Sequence, residues 1–293
     1  MLIALYNRVF ELENYPILKS TIEILEQKRV DIIIYAHFYN ALIAQGLEFQ
    51  TPPQIFTKTE DIPDDADCFI SLGGDGTILD SVTFIGIKQI PVLGINLGRL
   101  GFLATINVEL LNDNVEEILK GNYNISKRSL LTVETNADEE IEDSFALNEI
   151  TVTRRETTSM ITVEAHMNGE FLNSFWADGL IISTPTGSTG YSMSCGGPII
   201  HPANRNFIIT PIAPHNLNVR PFIISDDSVL KLKIHSRVNE YFLSLDARNI
   251  PLSTNIELII KKADFEIYIV EPKDKSYLMT LREKLLWGSD KRN

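Results

Sequence analysis

The sequence has few cysteines, since Cys68 and Cys195 are the only two among 293 residues. Both lie in apolar or glycine-rich surroundings, and neither has a partner at the spacing of metal ligands. This excludes a disulfide framework and a cysteine-based metal site. Two reduced thiols are typical of a cytoplasmic protein, and we expect that location.

Long apolar runs and excess positive charge are also missing. The apolar stretches break at proline, glycine or aspartate before they reach the length of a membrane span, and the start of the chain lacks the basic flank of a signal peptide. We therefore expect a soluble protein without a membrane partner. The formal net charge of −13 argues against a nucleic-acid partner. The five histidines are scattered without metal-ligand spacing, so we expect no metal bound directly by the chain.

The most informative segment is the glycine-rich stretch that follows a short apolar run. Residues 68–72 predict a buried strand, and Gly73, Gly74, Asp75, Gly76 and Thr77 come directly after it. Glycines let a ligand approach the main chain closely. An aspartate on such a turn, beside free backbone N–H groups, can serve a phosphate-bearing substrate. The alternative is a strand–turn–helix corner in which the aspartate only caps the helix.

The first part of the chain alternates strands and helices. Apolar runs at 2–6, 31–36, 68–72 and 91–95 predict strands, with helical periodicity between them. This order predicts an α/β domain over residues 1–125, doubly wound and Rossmann-like, with a parallel sheet. Ligand sites are expected at the carboxyl ends of its strands.

Consecutive strands without helices follow, which predicts an all-β domain over residues 126–272, an antiparallel sandwich. Residues 160–167 alternate well, and Asn168-Gly169 supplies a two-residue hairpin turn. The remaining strands are predicted at 130–135, 144–153, 170–176, 229–234, 241–245, 255–261 and 265–270. Residues 273–293 predict a helix that packs back on the first domain, with an apolar face of Leu278, Leu281, Leu285 and Leu286.

Asn148 and Glu149 place an amide beside a carboxylate inside the apolar run 144–153. Successive strand residues point to opposite faces, so one of the two should face away from any core. A carboxylate in such a place is costly unless it is hydrogen-bonded, for example to ligand hydroxyls. A purely structural pair in an edge strand is the alternative.

The segment from Ala177 to Pro202 is rich in hydrogen-bonding groups. Asp178-Gly179 and four apolar or small residues precede a loop of hydroxyl residues, glycines and a proline at 184–192. Such a loop can hold an adenine edge, a ribose or a pyrophosphate, and Tyr191 can stack on a ring. A polar linker is the alternative, but a linker does not usually follow a buried strand and precede Gly196-Gly197-Pro198.

Together these motifs resemble the bacterial-type NAD kinases over nearly the whole chain. The glycine motif at 73–77 is also similar to that of lipid kinases and, more distantly, phosphofructokinases. Further matching segments are 98–103, 148–149, 178–179, 183–192, 196–198, 211–215, 220–221 and 281–284. Two departures are visible: Asp246-Ala247-Arg248 stands where many members have Asp-Gly, and Trp176 stands where some carry arginine.

The resemblance implies phosphorylation of the adenosine ribose 2′-hydroxyl of NAD by ATP, giving NADP, with Mg²⁺ carried by ATP. It implies Asp75 as the general base and a site between the two domains. The residues expected to bind the nucleotides are Asp75, Gly76, Leu79, Phe102, Asn148, Glu149, Asp178, Thr186, Thr189, Gly190, Tyr191, Ser192, Met193, Ser194 and Ala213. It also implies a homodimer or homotetramer.

Two alternatives stay open. One is a lipid or other small-alcohol kinase of the same superfamily. The other is a non-catalytic dinucleotide-binding sensor, against which the intact Asp75 argues, because a pure binder needs no carboxylate at the acceptor hydroxyl.

Overall fold

The computed structural model describes residues 1–98, 101–104, 106–107, 111–136, 141–156 and 159–288, with the side chains of 111–114 left aside. The chain divides into two compact units. Unit 1 comprises Met1–Lys127 and Ile267–Asn293, and unit 2 comprises Arg128–Glu266. The domain limits expected from the sequence, after residues 125 and 272, stay a prediction.

Unit 1 is built on a parallel sheet with the order β3–β2–β1–β4–β5. The strands of this unit are β1 (Leu2–Tyr6), β2 (Asp31–Tyr35), β3 (Gln54–Phe56), β4 (Cys68–Leu72), β5 (Val92–Asn96) and β6 (Ile106–Asn107). The helices between them are α1 (Tyr15–Gln27), α2 (Ala36–Ala44), α3 (Asp75–Ile85) and α4 (Leu111–Leu119).

Apolar side chains of the helices cover the sheet of unit 1. Leu18, Ile22 and Leu25 of α1 are fully buried, and they belong to one core with strand residues such as Leu5 and Ile70. Because every residue of β4 and β5 is buried, both faces of these strands are covered, as in doubly wound parallel sheets.

The order of the strands reverses beside β1, which pairs with β2 on one side and with β4 on the other. In doubly wound sheets, ligands bind outside the carboxyl ends of the strands at such a switch point. Asn7 and Arg8 follow β1 there, and the glycine turn 73–75 follows β4. The sheet of unit 1 therefore presents these residues together at one edge.

Unit 2 is mostly β, and its two sheets are antiparallel with the orders β14–β13–β12–β9–β16–β17 and β11–β10–β15–β18. The strands that lie wholly or partly in this unit are β7 (Tyr123–Thr135), β8 (Phe145–Ala146), β9 (Glu149–Arg154), β10 (Ile161–Met167), β11 (Glu170–Ala177), β12 (Gly179–Ser183), β13 (Asn206–Ile212), β14 (Phe222–Ser225), β15 (Leu230–His235), β16 (Glu240–Leu245), β17 (Arg248–Ser253) and β18 (Leu258–Pro272). The first residues of β7 and the last residues of β18 belong to unit 1. The short helix α5 covers Tyr191–Ser194.

One apolar core lies within unit 2, and strands of both sheets contribute to it. Val163 of β10 lies opposite Ile234 of β15, and all three residues at 161, 163 and 165 are fully buried. Asn168 and Gly169 both have positive φ, 53° and 86°, which confirms the hairpin turn. The α/β unit and the antiparallel sandwich confirm the predicted fold class.

Two strand predictions were wrong. The run 144–153 is not continuous, because β8 ends at Ala146 and β9 begins at Glu149. The backbone N–H groups of residues 147–149 donate to a side chain instead of a neighbouring strand. Residues 258–261 of one predicted run and the whole run 265–270 belong to the single strand β18, which no glycine or proline interrupts before Pro272, and residues 255–257 precede this strand.

The helix α6 (Tyr277–Leu285) belongs to unit 1, which confirms the predicted return of the chain. The Ser276 hydroxyl caps it by accepting the Met279 N–H at 3.3 Å. Of the predicted apolar face, Leu281 is buried, whereas Leu278 is 57% exposed. In the described ranges, no helix combines the length and apolar character that crossing a membrane requires.

Candidate active site

The turn after β4 requires glycine at its first position. Gly73 has φ of +153°, and a Cβ at this residue would lie 2.3 Å from the Thr77 hydroxyl oxygen. Its N–H donates to the Ile95 carbonyl at 2.9 Å, which ties the turn to the end of β5. The helix α3 then begins at once, so Asp75 occupies its first position.

The carboxylate of Asp75 binds the backbone of a neighbouring loop. Oδ2 accepts the N–H of Phe102 at 2.8 Å, and Oδ1 accepts those of Leu103 and Ala104 at 2.9 and 3.0 Å. The N-terminus of α3 has Gly74 as its cap residue and no side-chain cap, so the purely capping interpretation of Asp75 was wrong. Described residues take three of about four acceptor positions on the carboxylate, and within this part of the chain one position on Oδ2 stays available for a ligand.

Other predicted residues of unit 1 lie at the same edge. Phe102 contributes the N–H just described and is partly buried, and the Lys284 ammonium lies 5.7 Å from the centroid of its ring. Gly76 is exposed, and Leu79 is partly buried. Residues 99 and 100 of the matching segment 98–103 lie outside the described residues.

Sequence reasoning missed Arg8, a cation beside the glycine turn. Its Nε lies 2.8 Å from Oδ2 of Asp80, and its side chain is 47% exposed. The guanidinium is close to Gly76, where a built Cβ would lie 3.9 Å from it. A guanidinium fixed in this way suits the binding of a phosphate group. The signal for Arg8 was its place directly after β1, at the switch point.

In unit 2, Asn148 and Glu149 lie where the strand ladder is interrupted. Oδ1 of Asn148 and Oε2 of Glu149 are buried and have no hydrogen-bond partner among the described residues. Buried polar atoms are nearly always hydrogen-bonded in native proteins. Two such atoms on adjacent residues therefore mark a place where a polar ligand fits.

The protonation of Glu149 differs from that of an ordinary glutamate. Burial, and next the nearby charge of Asp246, raise the pKa of Glu149 to about 8, although a hydrogen bond from the Tyr191 N–H lowers it. The protonated form of this side chain is therefore favoured up to a higher pH than in an ordinary glutamate. It can then donate a hydrogen bond to a ligand as well as accept one.

The loop after β12 packs directly on this pair. The Thr184 N–H donates to the Asn148 carbonyl at 2.9 Å, and the Thr184 hydroxyl donates to the Leu147 carbonyl at 2.6 Å. A Cβ at Gly187 would lie 2.1 Å from the Asn148 oxygen, so only glycine fits there. The structure thus brings the two predicted binding segments of unit 2 together.

The predicted loop residues divide into two groups. Ser192 is fully buried, with its hydroxyl 2.8 Å from that of Thr210, and the Thr189 hydroxyl donates to the Thr186 carbonyl at 3.3 Å. These hydroxyls hold the loop together. Tyr191 is 45% exposed. Ser194 is also exposed, whereas Met193 and Gly190 are partly buried.

The other two predicted residues directly follow strands of unit 2: Asp178 follows β11, and Ala213 follows β13. Asp178 forms an ion pair of 3.0 Å with Arg154. Ala213 is exposed and has φ of +43°. Trp176 packs against His215 with ring centroids 4.2 Å apart, so this departure from the family pattern has a packing partner within the chain.

Sequence reasoning left the role of Asp246 open. The structure places its carboxylate against the backbone of residues 147–149. Over the described part of the chain, no three side chains of histidine, cysteine, aspartate or glutamate converge as metal ligands.

Comparisons with known proteins agree with this fold. The ATP-NAD kinase N-terminal domain matches residues 14–123, and the ATP-NAD kinase C-terminal domain matches residues 147–272. The NAD kinase of Cytophaga hutchinsonii is 46% identical over 295 residues, covering 100% of both chains.

Two solved structures are also similar. Yeast NADH kinase complexed with NADH has a TM-score of 0.90 at 26% identity, over 99% of this chain and 89% of that one. An NAD kinase from Archaeoglobus fulgidus in complex with ATP has a TM-score of 0.74 at 25% identity, over 98% and 99%. With both domain models matched and a relative this similar over its full length, the chain belongs to the ATP-NAD kinase family.

Proposed function

We propose that this protein transfers a phosphoryl group from ATP to the 2′-hydroxyl of the adenosine ribose of NAD, with Asp75 as general base. Membership of the ATP-NAD kinase family makes it an enzyme that phosphorylates NAD. The observation that carries the residue assignment is the position of Asp75 at the switch point of a parallel sheet, with one acceptor position on Oδ2 not used by any described residue.

Asp75 acts on the acceptor hydroxyl. A ribose hydroxyl is a poor nucleophile, so a positioned carboxylate that accepts its proton accelerates attack. The three N–H groups of residues 102–104 fix the orientation of the carboxylate, which is what proton transfer requires. Oδ2, which accepts one hydrogen bond from the described residues where Oδ1 accepts two, is the oxygen that takes the substrate proton.

The donor phosphates bind beside the same turn. Phosphoryl transfer requires mainly positioning and neutralisation of charge. The backbone N–H groups near Gly74 and Gly76 and the guanidinium of Arg8 supply both. Mg²⁺ enters as part of the MgATP substrate. The archaeal relative in complex with ATP supports ATP as the donor.

Unit 2 binds NAD. Asn148 Oδ1 and the protonated Glu149 carboxyl pair with polar groups of the dinucleotide, which supplies the partners that these atoms lack within the described residues. The exposed ring of Tyr191 stacks on a base or ring. Yeast NADH kinase complexed with NADH supports a dinucleotide in this fold. Further contacts are proposed for Leu79, Phe102, Asp178, Thr186, Thr189, Gly190, Ser192, Met193, Ser194 and Ala213.

The test is a coupled assay of NADP formation from NAD, ATP and Mg²⁺. We expect turnover by the intact protein and, in Asp75→Asn, nearly unchanged NAD binding with kcat lowered about 10²–10⁴-fold. Equal turnover in Asp75→Asn would remove Asp75 from the mechanism. A folded protein that binds NAD but makes no NADP would instead indicate another acceptor alcohol or a sensor.

We also propose a homodimer or homotetramer in the cytoplasm. The outermost strands of the two sheets of unit 2, β11 and β14, expose Phe171 by 57% and Phe222 by 46%. Such apolar side chains on sheet edges are typical of protein interfaces. Light scattering should give a dimer or larger for the intact protein and a smaller species for Phe171→Ser with Phe222→Ser.

The free thiols of Cys68 and Cys195 support the cytoplasmic location.

A further inference from the structure

A single turn in unit 2 holds the segment that carries Asn148 and Glu149. Asp246 and Ala247 connect β16 to β17. Oδ2 of Asp246 accepts the Leu147 N–H at 2.9 Å, and Oδ1 accepts those of Asn148 and Glu149 at 2.8 and 3.1 Å. The Asp246 N–H in turn donates to the Glu149 carbonyl at 3.0 Å.

The same turn also binds the residues that directly precede this segment. The guanidinium of Arg248 donates to the Asp143 carbonyl at 2.6 Å and to the Phe145 carbonyl. It lies over the Phe145 ring, 5.4 Å from the centroid. This turn therefore donates hydrogen bonds to the carbonyls of residues 143 and 145 and accepts hydrogen bonds from the N–H groups of residues 147–149.

These contacts permit the interruption of the strand at residues 147 and 148. Three backbone N–H groups that leave the ladder need other acceptors, because unpaired buried N–H groups are rare. A carboxylate is the side chain that can accept three N–H groups at once. Asp246 has φ of +52°, a conformation that aspartate tolerates, and Ala247 is not among the positive-φ residues. The alanine that replaces the family glycine therefore causes no strain.

We propose that the Asp246–Arg248 turn is the positioning element for Asn148 and Glu149 as NAD ligands. This inference rests on the proposed binding of NAD by those two residues. Asp246 binds the backbone of Asn148 and Glu149, so it acts on NAD binding through these two residues.

The two carboxyl groups differ in the donors around them. Burial raises the pKa of Asp246, although the three N–H groups that it accepts and the nearby Arg248 act in the opposite direction. Glu149 faces one N–H, that of Tyr191, and its Oε2 has no partner among the described residues. The charge of Asp246 raises the pKa of Glu149. The charge of Glu149 in turn raises the pKa values of Tyr191 and Cys195, which lie in and directly after α5.

The test compares Asp246→Asn with Asp226→Asn. An asparagine at 246 places an NH₂ group against a backbone N–H, so the segment must shift. We expect the KM for NAD to rise about tenfold or more, a change of 1.4 kcal/mol or more, while the KM for ATP is unchanged and kcat at saturating NAD stays within a few-fold. Asp226, in the same unit, is 4% exposed and binds Lys262 at 2.6 Å, so its variant loses a buried ion pair without touching the NAD segment.

Loss of stability alone would lower the melting temperature of both variants and leave the KM for NAD unchanged in both, and this result would overturn the inference. Arg248→Met provides a second variant if Asp246→Asn does not fold, with an expected rise in the KM for NAD of a few-fold. Hydrogen exchange of the intact protein gives an independent reading. The amides of residues 147–149 should exchange as slowly as those of β9, and exchange at the rate of an open loop would contradict the three hydrogen bonds.

Asn148→Ala and Glu149→Ala separate this inference from the proposed function. If both weaken NAD binding but Asp246→Asn does not, the positioning role alone is wrong. If neither weakens NAD binding, the assignment of the NAD site is wrong and the positioning inference falls with it. A raised KM for NAD in all three variants, with Asp226→Asn unaffected, supports both.

Discussion

A Cβ built on Gly101 would lie 1.9 Å from Oδ1 of Asp75. This distance is far below any real contact between a Cβ and an oxygen, so position 101 has room only for glycine while the carboxylate stays in place. The absence of a side chain lets the loop lie against Asp75, where the N–H groups of residues 102–104 reach it. The glycine and the aspartate therefore depend on each other.

Gly101→Ala should lower kcat about ten- to a hundredfold, because either the loop or the carboxylate must move and an ångström of displacement is costly for catalysis. The fold should persist, since the conflict is local. Gly98→Ala is the matched control in the same loop, because a Cβ there meets nothing within 4 Å. Steady-state kinetics of both variants checks this, and equal kcat values would contradict the coupling of Gly101 to Asp75.

The same pair of residues separates two roles of Asp75. If its carboxylate only held the loop, Asp75→Asn and Gly101→Ala would lower kcat by similar factors. Removal of a general base should cost more, about 10²–10⁴-fold. We therefore expect Asp75→Asn to be clearly the slower enzyme.

Much of the fold was readable because it depends on local patterns. The alternation of Ile161, Val163 and Ala165 predicted β10, and Asn168-Gly169 predicted its turn. The strand followed by glycines predicted the turn that carries Asp75. Each of these signals lies within a window of about ten residues, where periodicity and turn chemistry dominate.

The missed features depend on contacts between distant parts of the chain. Asp246 binds backbone groups 97 to 99 residues earlier in the sequence, so the interruption at 147–148 leaves no local sign in an otherwise apolar run. The loop that surrounds the Asp75 carboxylate begins 27 residues later. Arg8 becomes part of the site only through the strand order of the parallel sheet.

Arg8→Ala should raise the KM for ATP about tenfold and leave the KM for NAD unchanged, because the guanidinium serves the phosphates beside Gly76. The KM for ATP of Arg8→Lys should lie between those of the intact protein and Arg8→Ala, since an ammonium cannot reproduce the planar contact with Asp80. Lys19→Ala is the control, as that cation is equally exposed, at 47%, and pairs only loosely with Glu23 at 3.7 Å. An unchanged KM for ATP in Arg8→Ala would exclude a phosphate-binding role.

The two thiols should differ sharply in reactivity. Burial raises the pKa of Cys68 to about 12. Cys195, whose pKa burial also raises, is only partly buried and directly follows α5. We expect one thiol per native chain to react with a maleimide and two in denaturant. NAD should slow the native reaction, and Cys195→Ala should abolish it. Labelling of Cys68 in the native protein, located by mass spectrometry, would show that β4 opens more readily than its burial implies.

The proton on Glu149 predicts how stability depends on pH. The native pKa of about 8 lies above the ordinary value of 4.5 that applies in the unfolded chain, so between these values the folded state holds a proton that the unfolded state releases. The free energy of unfolding then falls as pH rises through this window and levels off above about pH 8. Glutamine cannot ionise, so Glu149→Gln should gain stability relative to the intact protein from pH 5 to pH 8 and no further above it. Thermal unfolding at pH 5, 7 and 9 measures this, with substitution of the exposed Glu170 of unit 2, Glu170→Gln, as the control. A difference in stability between Glu149→Gln and the intact protein that is constant across the three pH values would show that Glu149 is already ionised at pH 5.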